Sequence, residues 1–429
     1  MSKARKLIEQ IQNTNLGVGS KSFLILDGGE QVNIAERLGR DTGGVRYFVP
    51  WYGSDPKIKR PYVGLNLKGV EVIYDFWNHL DSDRIFFPDC YYEDWQKHLT
   101  KMGLSVIGSG KAAILEYNKE VMRNECMKAG LKMPKATKIK GLTNLIKSLK
   151  GKEGSWVAPV EWRGEGETWQ YKSELTAKAK FDNISLTLGP FAEEFEWLVV
   201  EPVDGLEMGV DGITVNGEFL NPMIWGVTSG YMYLGRVAKP EEVPEPFKST
   251  NGKLLKLFES YGAKNFFGTE EVLQEGKGSI FLDLAMRFSN SHVSGVFTEL
   301  ITNFSEVLYS MGGDEEIAEP HVEATHVGSA VLVLSKEAEE FVTIKAPKEM
   351  TNLKLEYMSR NQEGDYVIVP HRQTTCGAII ALGNSWDEVI SKLQEDFEQL
   401  ESSIPFDPIP GLSEYRDLIK KVNSFGLEF

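Results

Sequence analysis

Short apolar runs alternate with polar stretches of helical period over the N-terminal quarter of the chain. The run SFLIL (22–26) stops at Asp27-Gly28-Gly29 and is followed by VNIAERLGR, whose apolar positions recur at helical spacing. VRYFVP (45–50), VEVIYD (70–75) and RIFFPD (84–89) repeat the strand pattern, and EDWQKHLTKMG (93–103) returns to a helix. This alternation predicts a parallel α/β sheet.

Gly108-Ser109-Gly110 then opens a helical stretch broken near Asn118, and NKEVMRNECMKAG predicts a second helix capped at Gly130, with Pro134 forbidding its continuation. TNLIKSLKG (143–151) predicts one more short helix, and SWVAPVEW (155–162) a strand entering the Gly-rich acidic loop RGEGET (163–168). From Glu196 the pattern becomes that of strands: EWLVVEPV, MGVDGITVNGEF with an Asn216-Gly217 hairpin signal, and NPMIWGVTSG. FFGTEEVL and SIFLDLAMRF flank the turn EGKG and predict a hairpin over 265–284. Strands are expected at AVLVLS (330–335) and YVIVP (366–370), and SWDE from Ser385 has the spacing of a capping box. AKPEEVPEPFKS (238–249) reads as a surface connection, and SIPFDPIPGL (403–412) leads into a C-terminal helix.

A chain of 429 residues exceeds one ordinary core, so several packed units are expected. Its 41% hydrophobic and 25% charged residues fit a globular protein. With 62 acidic against 47 basic residues, the net charge of -15 argues against an extended basic surface for duplex nucleic acid or an anionic membrane. Cys90, Cys126 and Cys376 lie far apart without a CxxC pair, which suggests neither a disulfide framework nor a zinc cluster. The N-terminal MSKARKLIEQIQ lacks the apolar core of a signal peptide, and no run reaches the roughly 18 apolar residues that cross a bilayer. A cytoplasmic location is expected.

The most informative chemistry lies in the hairpin 265–290. Glu271 and Asp283 fall on its two strands, so their carboxylates are expected to converge on a cation, and Mg²⁺ in nucleotide enzymes takes one or two carboxylates plus substrate phosphates. Arg287 follows as a fork for a phosphoryl oxygen. Upstream, Lys119 opens a helix, and an apolar strand ends at Glu201, ahead of a turn and Glu207.

Taken in order, these segments resemble the ATP-grasp superfamily, and within it the glycinamide ribonucleotide synthetases (phosphoribosylamine–glycine ligases). GSGKAAILEYNKEVMRNECMKAGLKMP (108–134), LVVEPVDGLEMGVDGITVNGE (198–218) and GTEEVLQEGKGSIFLDLAMRFSN (268–290) are similar to the family's phosphate-lysine helix, adenine hinge and metal-binding hairpin. The resemblance implies an α/β and α+β ATP-grasp fold: an N-terminal α/β domain (1–112), linker helices and a lid (113–195), a nucleotide and metal-binding domain (196–320) and a β-rich C-terminal domain (321–429). It implies an ADP-forming carboxylate–amine ligase using ATP and Mg²⁺ on small-molecule substrates, as a monomer or homodimer, with phosphoribosylamine, glycine and purine biosynthesis as the family's own setting.

By the same resemblance Lys119 would contact ATP phosphates, Glu201, Pro202 and Val203 would meet the adenine, and Glu207 would approach the ribose. Glu271 and Asp283 would hold Mg²⁺, and Arg287 would stabilise the transferred phosphoryl group. The turn Asp27-Gly28-Gly29-Glu30 lies where the family receives its substrate's phosphate. Three departures stand out. Ala285 replaces the family's Asn ligand, leaving water or Asn290 to fill in. The second ATP lysine is missing, and Arg163 is the nearest cation that could serve. Ser289-Asn290-Ser291-His292 replaces the family's sequence after Arg-Phe, which bears on the amino-acid substrate. His292 and His371 read as hydrogen-bonded rather than acid/base residues, and Trp156, Trp162 and Trp169 as core or lid packing. A degenerate, non-catalytic ATP binder is the alternative, while a nicotinamide enzyme would need a GxGxxG that is missing.

Overall fold

The computed structural model describes residues 21–50, 62–161, 168–276, 278–288, 291–313, 316–371 and 373–429. The expected α/β alternation forms β1 (Phe23–Leu26), α1 (Val32–Thr42), β2 (Val45–Phe48), β3 (Val70–Val72), β4 (Arg84–Phe86), α2 (Glu93–Lys101) and β5 (Val106–Ile107). The five strands make one parallel sheet in the order β3-β2-β1-β4-β5. All four residues of β1 are buried, as a central parallel strand covered on both faces requires.

Next come α3 (Ile114–Tyr117) and α4 (Lys119–Lys128), separated by Asn118. Asn118 is extended and its side-chain oxygen accepts a hydrogen bond from the Val121 N–H at 2.9 Å, so one residue both breaks the first helix and caps the second. Gly130, at φ 87°, ends the second helix as the sequence predicts.

A small four-stranded antiparallel sheet follows, made of β6 (Ala136–Lys140), β7 (Trp156–Pro159), β8 (Trp169–Gln170) and β9 (Glu196–Val200) in the order β6-β9-β7-β8. Helices α5 (Leu142–Leu149) and α6 (Glu174–Leu188) close it around its own apolar core, in which Leu145, Val157, Phe181 and Trp197 meet. Trp169 packs edge-on against Phe181 with ring centroids 5.6 Å apart, whereas Trp156 is exposed; Trp162 and most of the 163–168 loop lie outside the described residues.

The largest sheet has eight strands. They are β10 (Leu206–Val215), β11 (Glu218–Ser229), β12 (Met232–Ala238), β13 (Lys264–Gln274), β14 (Gly278–Ala285), β15 (His326–Val333), β17 (Leu353–Leu355) and β20 (Thr375–Gly383), in the order β14-β13-β10-β11-β12-β15-β20-β17. The Asn216-Gly217 turn forms, with both residues at positive φ. Helix α7 (Glu245–Tyr261) lies against the sheet through Phe247, Leu254 and Phe258. The strands foreseen in the last hundred residues therefore split: β15 extends the large sheet, whereas β19 (Tyr366–Ile368) joins β16 (Val342–Lys345), β18 (Met358–Arg360) and β21 (Glu401–Ser402) in a separate four-stranded sheet. Ser385 caps the next helix by accepting from the Glu388 N–H at 3.3 Å, but Glu388 reaches back to the N–H of Asn384 at 2.7 Å, one residue before the cap. The three cysteines are buried. Among the described residues, no helix is long and apolar enough to cross a membrane.

Candidate active site

The β13–β14 hairpin forms as expected, but its register differs from simple alternation. Near the turn Gln274 pairs with Gly278 and Glu271 with Phe281; beyond it Glu270 pairs with Asp283, so Leu282 is an extra, unpaired residue. Without that bulge, Asp283 would share a face with Glu271. The one-residue shift moves it to the face of Glu270.

The expected convergence of Glu271 with Asp283 is thereby corrected. Glu271 is fully buried on the opposite face, where its Oε2 accepts a hydrogen bond from Thr250 Oγ1 of α7 at 2.7 Å. Burial pushes its pKa up to about 7, against the lowering effect of hydrogen bonds from Ser279 and Thr250. Sealed beneath α7, Glu271 shares no face with Asp283.

Glu270 occupies the place that the sequence argument gave its neighbour. Its position in β13 faces Gly209 of β10, so Glu207 and Asp211 flank it on the same face. Its side chain opens onto solvent but stands between protein walls that keep it poorly hydrated. That desolvation, then Asp283 and Glu207, raise its pKa; Lys119 opposes them and Asp211 adds to them. Glu207 is raised as well, by desolvation. Glu270 and Glu207 thus hold their protons more tightly than free acids do, and a cation on this four-carboxylate face would relieve the repulsion.

Lys119, at the first turn of α4, is ion-paired with Asp283. Burial alone would lower its pKa, but Asp283, followed by Glu116 and Glu270, keeps it above the ordinary value, so it is fully charged. Its backbone N–H donates to the Val160 carbonyl at 2.8 Å, which ties the helix start to the small sheet.

Arg287 is held by Glu116, a residue that the sequence argument did not single out. Arg287 Nε donates to Glu116 Oε1 at 2.6 Å, and the Met286 N–H donates to Oε2 at 2.8 Å. Both oxygens of this buried carboxylate thus fix the segment after β14. Only its neighbourhood to the Asn118 break hinted at a role for Glu116.

Glu201, Pro202 and Val203 lie in the connection between β9 of the small sheet and β10 of the large one, the topology of a hinge. The strand ends at Val200, Glu201 is exposed, and its N–H donates to the Lys135 carbonyl at 2.9 Å. Arg163 and Asn290 lie outside the described residues. Ala285 pairs with Gly268 and brings no oxygen to the site.

Solved structures share this fold. Phosphoribosylamine–glycine ligase from Thermotoga maritima aligns with 90% of this chain and 98% of its own at a TM-score of 0.64 and 16% identity. The biotin carboxylase domain of Hydrogenobacter thermophilus 2-oxoglutarate carboxylase, solved with MgADP, ADP and bicarbonate, aligns over 91% of both chains at 0.63 and 12%. L-amino acid ligase from Bacillus licheniformis aligns with 91% of this chain and all of its own, 100%, at 0.57 and 13%. The fold is the ATP-grasp fold. No protein-family model and no curated protein sequence matches the chain.

Within an ATP-grasp fold the Glu270–Asp283 pair fits a magnesium ion on its chemistry. Among the described residues no three His, Cys, Asp or Glu side chains form a metal cage of their own. Mg²⁺ does not need one, because phosphate oxygens and water complete its octahedron. Two cross-strand carboxylates, one of them already ion-paired with a lysine, suit that kind of site.

Proposed function

We propose that the protein is an ATP-dependent carboxylate–amine ligase, with ATP held between the small sheet and the large one. The observation that carries this reading is the face shared by Glu270 and Asp283, with Lys119 closing on it from α4. Bound there, Mg²⁺ would neutralise phosphate charge and hold the triphosphate in line. Glu270 and Asp283 would be its protein ligands. Lys119 would exchange Asp283 for a phosphate oxygen, and Arg287, aligned by Glu116, would face the charge that builds up on the transferred group. Residues 201–203 would meet the adenine through their backbone, and Glu207 the ribose side.

In the reaction a substrate carboxylate oxygen attacks the γ-phosphorus, the bond to the β-phosphate oxygen breaks, and ADP leaves an acyl phosphate behind. An amine nitrogen then attacks the carbonyl carbon, phosphate departs and the nitrogen loses a proton. The chain's contribution is positioning and charge neutralisation. Phosphoribosylamine with glycine is one substrate pair to try, and other carboxylates and amines stand beside it.

Ala285 favours a second reading, an ATP-binding relative without turnover, because it removes an oxygen from the hairpin. Titration with MgATP combined with ADP and phosphate release across a panel of carboxylates and amines separates the two. Release that needs both substrates supports the ligase; tight binding with no release for any pair supports the second reading.

A further inference from the structure

A second constellation lies at the carboxyl ends of the N-terminal sheet. The chain leaves β1 toward β2 and β3 on one side, then returns to place β4 and β5 on the other. The gap between the ends of β1 and β4 is therefore the topological switch point, where open α/β sheets bind their ligands. Asp27 directly follows β1, and Asp89 lies three residues past the end of β4.

Asp27 is only 1% exposed. Its Oδ2 accepts hydrogen bonds from the Tyr47 hydroxyl at 2.6 Å and the Gln31 N–H at 2.9 Å, while its Oδ1 has no partner among the described residues. Burial lifts its pKa to about 7 against the Tyr47 hydrogen bond, and Glu30 and Asp89 raise it further. Among the described residues the charges acting most strongly on this carboxylate are thus acidic.

The C-terminal part of the chain closes over the same turn. The Tyr357 N–H donates to the Gly29 carbonyl at 2.8 Å, and its hydroxyl donates to Glu30 Oε1 at 2.9 Å. A Cβ on Gly29, which has φ 106°, would come within 2.9 Å of the Tyr357 ring, so the turn needs glycine for this approach. Tyr357 stacks on His371 at a centroid distance of 4.7 Å. Burial holds the His371 pKa below its ordinary value, so this imidazole supplies no positive charge at neutral pH.

A buried carboxylate oxygen without a donor is costly, and a ligand N–H removes that cost. A phosphate would instead add charge to Asp27, Glu30 and Asp89. An ammonium group offers three donors and one positive charge. We propose that this crevice receives the cationic end of an amine substrate, an alkylammonium group walled by Asp27, Glu30 and Asp89, and rejects phosphorylated ligands. The amine's later fate rests on the ligase reading; its binding does not.

The test is calorimetric titration of the full chain, without nucleotide, using ethylenediamine, ethanolamine and ribose 5-phosphate. An amine should bind, and Glu30→Gln should weaken it about tenfold or more. Asp27→Asn should do the same; if that variant melts early, Glu30→Gln, at a half-buried position, carries the test. Tighter binding of ribose 5-phosphate than of either amine would overturn the proposal. So would unchanged amine affinity in Glu30→Gln, or no amine binding up to about 10 mM. Because ATP is absent, a chain that turns nothing over can still pass, and a working ligase can still fail.

Discussion

Asp283 stands opposite Glu270, not Glu271, across the β13–β14 hairpin, and the unpaired Leu282 is the reason. One extra residue decides which of two adjacent glutamates Asp283 joins, the one beside Glu207 and Asp211 or the one sealed beneath α7. The two have the same chemistry and opposite surroundings, so exchanging them one at a time isolates the effect of position.

Glu270→Gln and Asp283→Asn should each lower Mg²⁺-dependent ADP release about a hundredfold or more, the scale for losing a group that stabilises transition-state charge. Glu271→Gln keeps an acceptor for Thr250 and should leave ADP release within a few-fold of the parent. Loss of activity in Glu271→Gln with a normal melting temperature would return the metal to the wrong face.

Lys119 now competes with any cation for Asp283. In Lys119→Ala, Mn²⁺ should bind the nucleotide-free chain several-fold more tightly, because a positive charge has left the carboxylates. MgATP should bind about tenfold more weakly, since a phosphate loses its lysine. Electron paramagnetic resonance measures the first effect and calorimetry the second. Both affinities falling together would mean that the ion pair supports the helix rather than the site.

Arg287 and Glu116 are joined by a 2.6 Å hydrogen bond, and the variants Arg287→Ala and Glu116→Ala should be strongly non-additive in ADP release. If Glu116 acts by orienting Arg287, adding Glu116→Ala to Arg287→Ala costs little further activity. Glu116→Gln should recover part of the loss, because the amide oxygen can still accept from one of the two donors. Fully additive effects would give Glu116 a separate role, in the fold around Met286.

Much of this architecture is legible in the residues themselves. FLIL (23–26) is apolar throughout because β1 is buried on both faces, and Asn216-Gly217 marks a hairpin turn because both residues must take positive φ. Asn118 and Gly130 announce the ends of α4 by local hydrogen-bonding chemistry. The bulge at Leu282 escapes such reading, since nothing in SIFLDLA distinguishes an unpaired leucine from a paired one. Glu116 escapes for another reason: its partners Met286 and Arg287 are about 170 residues away, and only the folded chain joins them. Parity along a strand is read correctly only up to the first bulge, and a site built past one will be misassigned by a residue.

The buried Glu271 also makes stability depend on pH in a direction that can be checked. Its folded pKa of about 7 lies above the 4.5 of an unperturbed glutamate, so between those values the folded chain binds more protons than the unfolded one. The stabilisation is fully present below 4.5 and is lost as pH rises through 7. Glu271→Gln carries no titrating group there and still accepts from Thr250. From pH 5 to 8 the parent should therefore lose on the order of 2 kcal/mol of stability relative to this variant, from the free energy carried by each unit of pKa difference. Urea unfolding of both chains at several pH values gives the difference directly and cancels the titration of every other group. A flat difference would place an ionised Glu271 in the core, and its lone-pair oxygen Oε1, which has no partner among the described residues, would then need a cation.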